Sequence, residues 1–263
     1  MKIAVCIKAV PDPAYYDQIT LDPVRKTLNR AGIPAVTNEA DLHALEAALV
    51  LKNERGGSVD VFTMAPPSAT EQLRECLALG ADHAYLLSDR RVGGADTLAT
   101  SYTLAQLLKT SGQYDLVLCG NDTPDGATGH VPTQIGTWLG IAHAMNVIGL
   151  HVLDDHTVRV KRQFEDGIGT YDLTMPCVVA VTSSVNKVRY TTAAGISRAV
   201  KKEITVYSAD DIDLDQWFIG LAGSPTQSGE LKTIELSRAG KILGGSAAEA
   251  AQELAKQIRQ HMD

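Results

Sequence analysis

Leu116-Val-Leu-Cys-Gly-Asn-Asp-Thr-Pro-Asp-Gly-Ala-Thr-Gly-His130 is the stretch whose reading decides the fold. Tyr114 to Cys119 is a short apolar run suited to a buried strand. The run breaks at Gly120 into a polar loop, and a helical pattern follows from Val131 to Leu139. A strand that passes through a glycine loop into a helix presents bare backbone N–H groups and the positive end of a dipole. This is how α/β proteins hold phosphate. Gly120, Asp122, Thr123, Asp125, Thr128, Gly129, His130 and Val131 are therefore candidate nucleotide-binding residues. The same loop also fits a plain αβ turn in which glycine serves only the backbone. His130 suits a hydrogen bond to phosphate or ribose, and equally a solvent-facing position.

The flanking sequence has the same rhythm. Lys2 to Ile7, Val59 to Met64 and Ala84 to Leu87 are apolar strand candidates. Between them lie helical patterns. Leu42, Leu45, Ala48, Leu49 and Leu51 follow Asn38, a predicted N-cap, with Asp41 in the first turn. Ser68 to Leu79 is the next helix, and Asp96 to Leu108 follows a second glycine pair, Gly93-Gly94. Tyr15 to Ile33 reads as an irregular hairpin or loop. Strand and helix alternate with short connections, which predicts an α/β fold with a doubly wound, mainly parallel sheet. Both glycine loops follow strands and belong on one sheet edge.

Past Gly140 the pattern changes. Asp154-Asp155 and Asp166-Gly167 mark hairpin turns between alternating segments. Cys177 to Thr182 is again a buried strand, Ser197 to Lys202 a basic helical piece and Ile204 to Tyr207 a last strand. The predicted nucleotide-binding domain is 1–209. Residues 210–263 are read as an arm poor in core residues, ending in a helix from Ser246 to about His261. That helix has a capping box at Ser246 and Glu249 and a stripe of Ala247, Ala250, Ala251, Leu254 and Ile258. Such an arm is expected to pack on a partner subunit.

Composition narrows the function. The 263 residues carry a net charge of −7 with no block of like charge. General binding to nucleic acid or anionic membrane is therefore not expected. Cys6, Cys76, Cys119 and Cys177 lack CxxC spacing and read as reduced core residues of a cytoplasmic protein. The seven histidines show no HxH or HxxxH pairing, so no metal site is expected. No signal peptide and no membrane-spanning run is expected either. No Ser-His-Asp, Cys-His or paired-carboxylate arrangement stands out, so no catalytic residue is predicted.

The chain resembles the beta (small) subunit of electron-transfer flavoproteins over nearly its whole length. The markers are Ile3-Ala-Val-Cys-Ile-Lys-Ala-Val-Pro-Asp12, Asn38 with Asp41 to Glu46, and Leu77-Ala-Leu-Gly-Ala-Asp82. Gly120 with Asp125, Arg162 with Pro176, Arg189-Tyr190 and Lys201-Lys202 complete them. The resemblance implies an adenine-nucleotide-binding, Rossmann-like fold and an obligate alpha subunit that carries FAD. The beta subunit then holds either AMP or a second FAD. In this family Cys6 and Met64 close strands whose backbone meets the adenosine portion. Asn38 and Asp41 suit adenine or ribose, although capping explains Asn38 as well.

The run Ser88-Asp-Arg-Arg-Val-Gly-Gly-Ala-Asp-Thr-Leu-Ala-Thr-Ser101 resembles the FAD-binding branch, which bifurcates electrons from NADH. Gly223-Ser-Pro-Thr226 is a second mark of that branch. Gly94, Ala95, Asp96, Thr97 and Thr100 are accordingly candidate contacts for a pyrophosphate. The resemblance implies NADH as donor and an acyl-CoA dehydrogenase-like flavoprotein as partner, with ferredoxin or flavodoxin as low-potential acceptor. Flavin redox activity is expected only in the heterodimer. The chain departs from the family at Asn121, Asp122, Ala127, His130 and Pro132, which makes the loop more acidic and should weaken anion binding. In the docking loop Arg189 to Gly195, Ala193 replaces a common Leu. Two alternatives remain: a non-bifurcating subunit with structural AMP, and a stand-alone ATP- or AMP-binding module.

Overall fold

The computed structural model describes residues 1–18, 20–22, 27–29, 32–226 and 240–260. They fall in two units, Met1–Gly229 and Glu230–Asp263. The first half of the chain forms β1 (Lys2–Cys6), β2 (Ala9–Pro11), β3 (Thr20–Asp22), β4 (Thr27–Asn29), β5 (Ala35–Thr37) and α1 (Glu39–Arg55). Next come β6 (Ser58–Met64), α2 (Thr70–Leu79), β7 (His83–Leu87), α3 (Thr97–Ser111), β8 (Leu116–Gly120) and α4 (Val131–Leu139). The first unit is completed by β9 (Ala142–Val152), β10 (Thr157–Gln163), β11 (Ile168–Thr174), β12 (Cys177–Val181), α5 (Ala193–Lys201) and β13 (Ile204–Tyr207). The second unit holds α6 (Ala247–Gln260).

Nine strands make one sheet in the order β11-β10-β9-β12-β8-β1-β6-β7-β13. Every pairing from β9 to β13 is parallel, and only β9-β10-β11 run antiparallel, as a meander at one edge. This is the predicted doubly wound sheet. One boundary differs clearly. The segment expected as a hairpin arm from His151 begins at Ala142, and its first half pairs in parallel with β12. The irregular stretch Tyr15 to Ile33 contains the short β3-β4 hairpin.

The central strands are apolar on both faces because both faces are covered. On one side Ile3, Val5, Val61, Leu116 and Leu118 pack with α1 and α2. On the other, Ala4, Phe62, Val117 and Val178 pack with Tyr102, Leu104 and Leu107 of α3 and Ile135 of α4. Ala209, Ile212 and Ile219 are buried in this second cluster. The chain from Asp210 to Thr226 thus lies on the first unit. In the second unit Ser246 and Glu249 form the expected capping box, with the Ser246 N–H donating to Glu249 Oε2 at 2.8 Å. Leu254 and Ile258 remain half exposed.

Asp41 ties the parallel strands to α1. Its Oδ2 accepts the N–H of Lys8, just past β1, at 2.8 Å. Its Oδ1 accepts the N–H of Gly120, the last residue of β8, at 2.8 Å. Burial pushes its carboxyl up to about 7, against the opposing pull of those two N–H groups. The folded state therefore holds the proton more tightly than the unfolded chain, whose aspartates titrate near ~4. Between these values the native form binds more protons, so this part of the stability is present below pH ~4 and lost as pH rises toward 7. Asp41→Asn cannot titrate. Urea unfolding of both proteins from pH 4.5 to 7.5 should show wild type losing stability relative to the variant as pH rises. A constant difference would mean that Asp41 stays ionised throughout. In the opposite layer Phe62 is fully buried, stacked on Tyr85 at 4.8 Å and edge-on to Tyr114 at 5.5 Å. Phe62→Ala should cost about 3–5 kcal/mol by the same measurement.

Candidate functional site

Parallel strands β1, β6, β7, β8 and β12 end on the same edge, where α/β sheets bind ligands. The loop from Gly120 to His130 leaves β8 there. Gly120 admits no side chain: a Cβ would stand 2.4 Å from Asp41 Oδ1 and 2.8 Å from the Ala40 Cβ. The loop then turns on the Thr123 carbonyl, which accepts the Ala127 N–H at 2.7 Å. Ala127 and Gly129 take positive φ, +48° and +61°. The loop enters α4 at His130, which is exposed and makes no side-chain cap. With no carboxylate or hydroxyl capping it, the start of α4 leaves backbone donors for an anion.

Other elements hold this loop from below. Asn38 sits at the predicted N-cap position, but its side chain does not cap α1. Instead its Nδ2 donates to the Asp122 carbonyl at 2.9 Å. Its backbone carbonyl accepts the Asp41 and Leu42 N–H groups. Lys8 Nζ reaches Asp125 Oδ1 at 2.7 Å and Thr123 Oγ1 at 3.3 Å. The Asp125 side chain is almost fully buried, so this cation offsets the acidity that the loop sequence suggests. Asn121 Oδ1 accepts the N–H of Asn146, a residue at φ +55° in β9. The structure thus joins Asn38, Asp41, Gly120, Asp122, Thr123 and Asp125 in one network. Lys8 is a member that the sequence reading does not single out. The available signal is its place directly after the first strand, at the ligand-bearing edge.

Gly94, Ala95, Asp96, Thr97 and Thr100 lie past the end of β7, on the same edge. Three strand spacings, β8-β1-β6-β7, separate the two exits, about 14 Å. α3 and α4 pack together behind them: Trp138 Nε1 donates to Ser101 Oγ at 3.2 Å, and the Trp138 and Tyr102 rings are 5.1 Å apart. Gly94 is exposed with φ +72°. Unlike α4, α3 is capped. Asp96 Oδ1 accepts the N–H groups of Leu98 and Ala99 at 2.9 and 3.1 Å. Before the glycine pair, hydrogen bonds from the Arg91 side chain and N–H hold the Asp89 carboxyl far below the usual range.

Cys6 and Met64 close β1 and β6 at this edge. Cys6 stands in register with Cys119 of β8. The hydrogen bond between the two thiols, together with burial, holds Cys119 well above the usual thiol range, so these side chains act as packing groups. Among the described residues no His, Cys, Asp or Glu cluster could hold a metal ion. Among them too, no helix is long and apolar enough to cross a membrane.

Past β12, Arg189 lies on Glu46 of α1 through two side-chain hydrogen bonds of 2.7 and 2.9 Å. This places Tyr190, 88% exposed, at the surface. Thr192 caps α5 by accepting the Gly195 N–H at 3.0 Å. Ile196 and Val200 of α5 are exposed beside Tyr190 in the sequence, whereas Ala193 offers only a methyl group.

Comparison with known proteins agrees with this architecture. Residues 26–212 match the family described as Electron transfer flavoprotein domain. An electron transfer flavoprotein subunit beta of Clostridium acetobutylicum is 40% identical over 260 residues, covering 99% of this chain and 98% of the relative. Subunit CarD of the caffeyl-CoA reductase-Etf complex of Acetobacterium woodii is 44% identical over 228 residues, 86% of each chain. Protein FixA of Azorhizobium caulinodans is 40% identical over 233 residues, 86% of this chain and 82% of the relative. With the domain matched across most of its length and beta subunits aligned nearly end to end, the chain belongs to the electron transfer flavoprotein family, among its beta subunits.

Proposed function

We propose that this chain pairs with an alpha subunit and holds the second FAD of a bifurcating flavin heterodimer. The observation that carries the reading is the shared edge of two glycine-hinged strand exits, each leading into a helix. The residues fit such a group on three counts. Gly120, packed on Asp41, and Gly94, at φ +72°, let the chain turn sharply out of β8 and β7 at the same edge. The start of α4 lacks a side-chain cap. Lys8 places positive charge beside the loop. In this arrangement the Gly120–Val131 loop takes the phosphate next to adenosine, with Thr123, Thr128 and His130 at its rim. The Gly94–Thr100 segment offers the Thr97 and Thr100 hydroxyls to the neighbouring phosphate. Asn38 and Asp41 set the floor on which the adenosine end rests. Bound there, flavin supplies exchange between the hydride of NADH and single electrons.

The electron partners follow from the same reading. With flavin bound, the donor would be NADH and the electron acceptors would be the alpha-subunit flavin with an acyl-CoA dehydrogenase-like partner beyond it, and a ferredoxin- or flavodoxin-type protein. The relative named as part of a caffeyl-CoA reductase-Etf complex supports a partner that acts on a CoA ester. Tyr190, Ile196 and Val200 are exposed apolar groups near Ala193 in the sequence that would dock it, in place of the side chain missing there. The second unit, with its half-exposed Leu254 and Ile258, is read as the arm that lies on the alpha subunit.

One observation favours a second reading, AMP in place of FAD. Asp96 occupies the N–H groups of Leu98 and Ala99, which leaves the α3 start with fewer donors for a second phosphate. Counting flavin and AMP in the co-purified heterodimer separates the two. Two FAD and no AMP, with flavin reduced by NADH, is the expected result. One FAD plus one AMP would overturn the bifurcating reading. ATP binding by the isolated chain without an alpha subunit would instead favour a stand-alone module.

A further inference from the structure

The segment from Asp215 to Thr226 is bound to both helices behind the candidate site. Phe218 packs against Tyr102 of α3 and Trp138 of α4, with ring centres 5.3 and 5.6 Å away. The Asp215 N–H donates to the Tyr102 hydroxyl at 2.9 Å. Gly220 lies so close to the chain before the glycine pair that a Cβ would fall 2.1 Å from the Arg91 carbonyl oxygen. A Cβ on Gly94 would meet the Cβ of Leu221 at 3.5 Å.

The turn then closes on Asp96. Ser224, only 6% exposed, accepts the Asp96 N–H at 2.8 Å and donates to the Gly220 carbonyl at 2.7 Å. The Thr226 N–H donates to Asp96 Oδ2 at 3.0 Å. With Leu98 and Ala99 on Oδ1, the carboxylate accepts three backbone N–H groups. This answers a physical difficulty of the proposed site. A carboxylate beside a phosphate repels it, and a glycine pair leaves the exit of β7 free to adopt many conformations. Three N–H donors satisfy the carboxylate, and the Ser224 bridge fixes the backbone that presents Gly94, Ala95 and Thr97.

We infer that Ser224 and the Thr226 backbone N–H are positioning groups that set the selectivity of this site for a dinucleotide over a mononucleotide. They act through Asp96 on the β7 exit, which meets only the second phosphate. The first phosphate and the adenosine belong to the Gly120–Val131 loop and should not register their loss. The inference rests on the dinucleotide reading above.

The test uses the heterodimer with its alpha subunit, with AMP titrated to displace the flavin held by this chain. Ser224→Ala removes the bridge, and Thr226→Pro removes the N–H. Each should lower the AMP concentration for half-displacement about tenfold, the size of one or two lost hydrogen bonds. Thr226→Ala keeps the N–H and should match wild type. Direct AMP affinity, measured on flavin-free heterodimer, should stay within about twofold in all three variants. Unchanged displacement in both Ser224→Ala and Thr226→Pro would overturn the inference. So would equal loss of AMP and FAD affinity, which marks a general structural defect. Wild type that holds only AMP defeats the dinucleotide reading and this inference together; wild type that holds FAD with unselective variants defeats this inference alone.

Discussion

The carboxylate of Asp41 is the constraint on which the ligand-bearing edge depends. It is buried beneath the sheet edge, yet it reaches the N–H of Lys8 after β1 and that of Gly120 at the end of β8. These two strands are neighbours in the centre of the sheet. Both leave it at the same height, and each N–H at a strand end needs an acceptor. A carboxyl group suits this role because it offers two oxygens, one for each N–H. Its closeness has a consequence at Gly120, where the carboxylate oxygen fills the space a Cβ would need. The glycine that opens the loop therefore follows from the aspartate in α1. The loop's sharp departure from β8 follows in turn from that glycine.

Charge is distributed in the same economical way. The chain is acidic overall, and its candidate loop carries Asp122 and Asp125. Lys8 places its ammonium on Asp125 while remaining nearly half exposed. The pair is almost fully buried at its Asp125 end. Its value is positional, since it removes a repulsive charge from the loop and keeps a cation at the rim. The Asp96 carboxylate meets the same requirement without a cation, using backbone N–H groups from α3 and from the 219–226 turn. Two acidic residues close to a candidate phosphate site are thus neutralised by different means.

The alternation of apolar runs with helical patterns made the parallel sheet and its loaded edge legible, because strands covered on both faces leave no polar positions to blur the signal. Partners remote in sequence were not legible. Asn38 has the residue type and position of an N-cap, but its amide is drawn to the Asp122 carbonyl, 84 residues away. The first half of β9 carries a poor strand signal, with Ala142, His143 and Asn146. That segment is held by parallel pairing with β12, which local pattern cannot show. The stretch from Asp210 to Thr226 looked like the start of an arm because it has few apolar residues. Of these, Ile212 and Ile219 are buried, Phe218 packs on Tyr102 and Trp138, and hydrogen bonds from Asp215, Ser224 and Thr226 do the rest.

The opposite edge of the sheet supports placing function at the glycine-bearing one. There Asp60 is fully buried and accepts the Tyr114 hydroxyl at 2.9 Å, with His83 Nδ1 at 2.8 Å. The Lys2 ammonium lies 3.7 Å from the same carboxylate and 4.5 Å over the Tyr114 ring. Burial and the Asp60 charge hold the Tyr114 phenol far above its usual range, as expected of a group that donates to a carboxylate. Side chains here satisfy one another, and the network fastens β6, β7 and the approach to β8. At the carboxyl-terminal edge the exits of β7 and β8 turn on glycines, and the start of α4 keeps backbone N–H groups without a side-chain cap. An edge closed by its own side chains fixes the strands; an edge left to backbone donors has room and hydrogen-bonding capacity for a ligand. The same sheet divides these roles between its ends, and the buried carboxylates Asp60 and Asp41 anchor one end each.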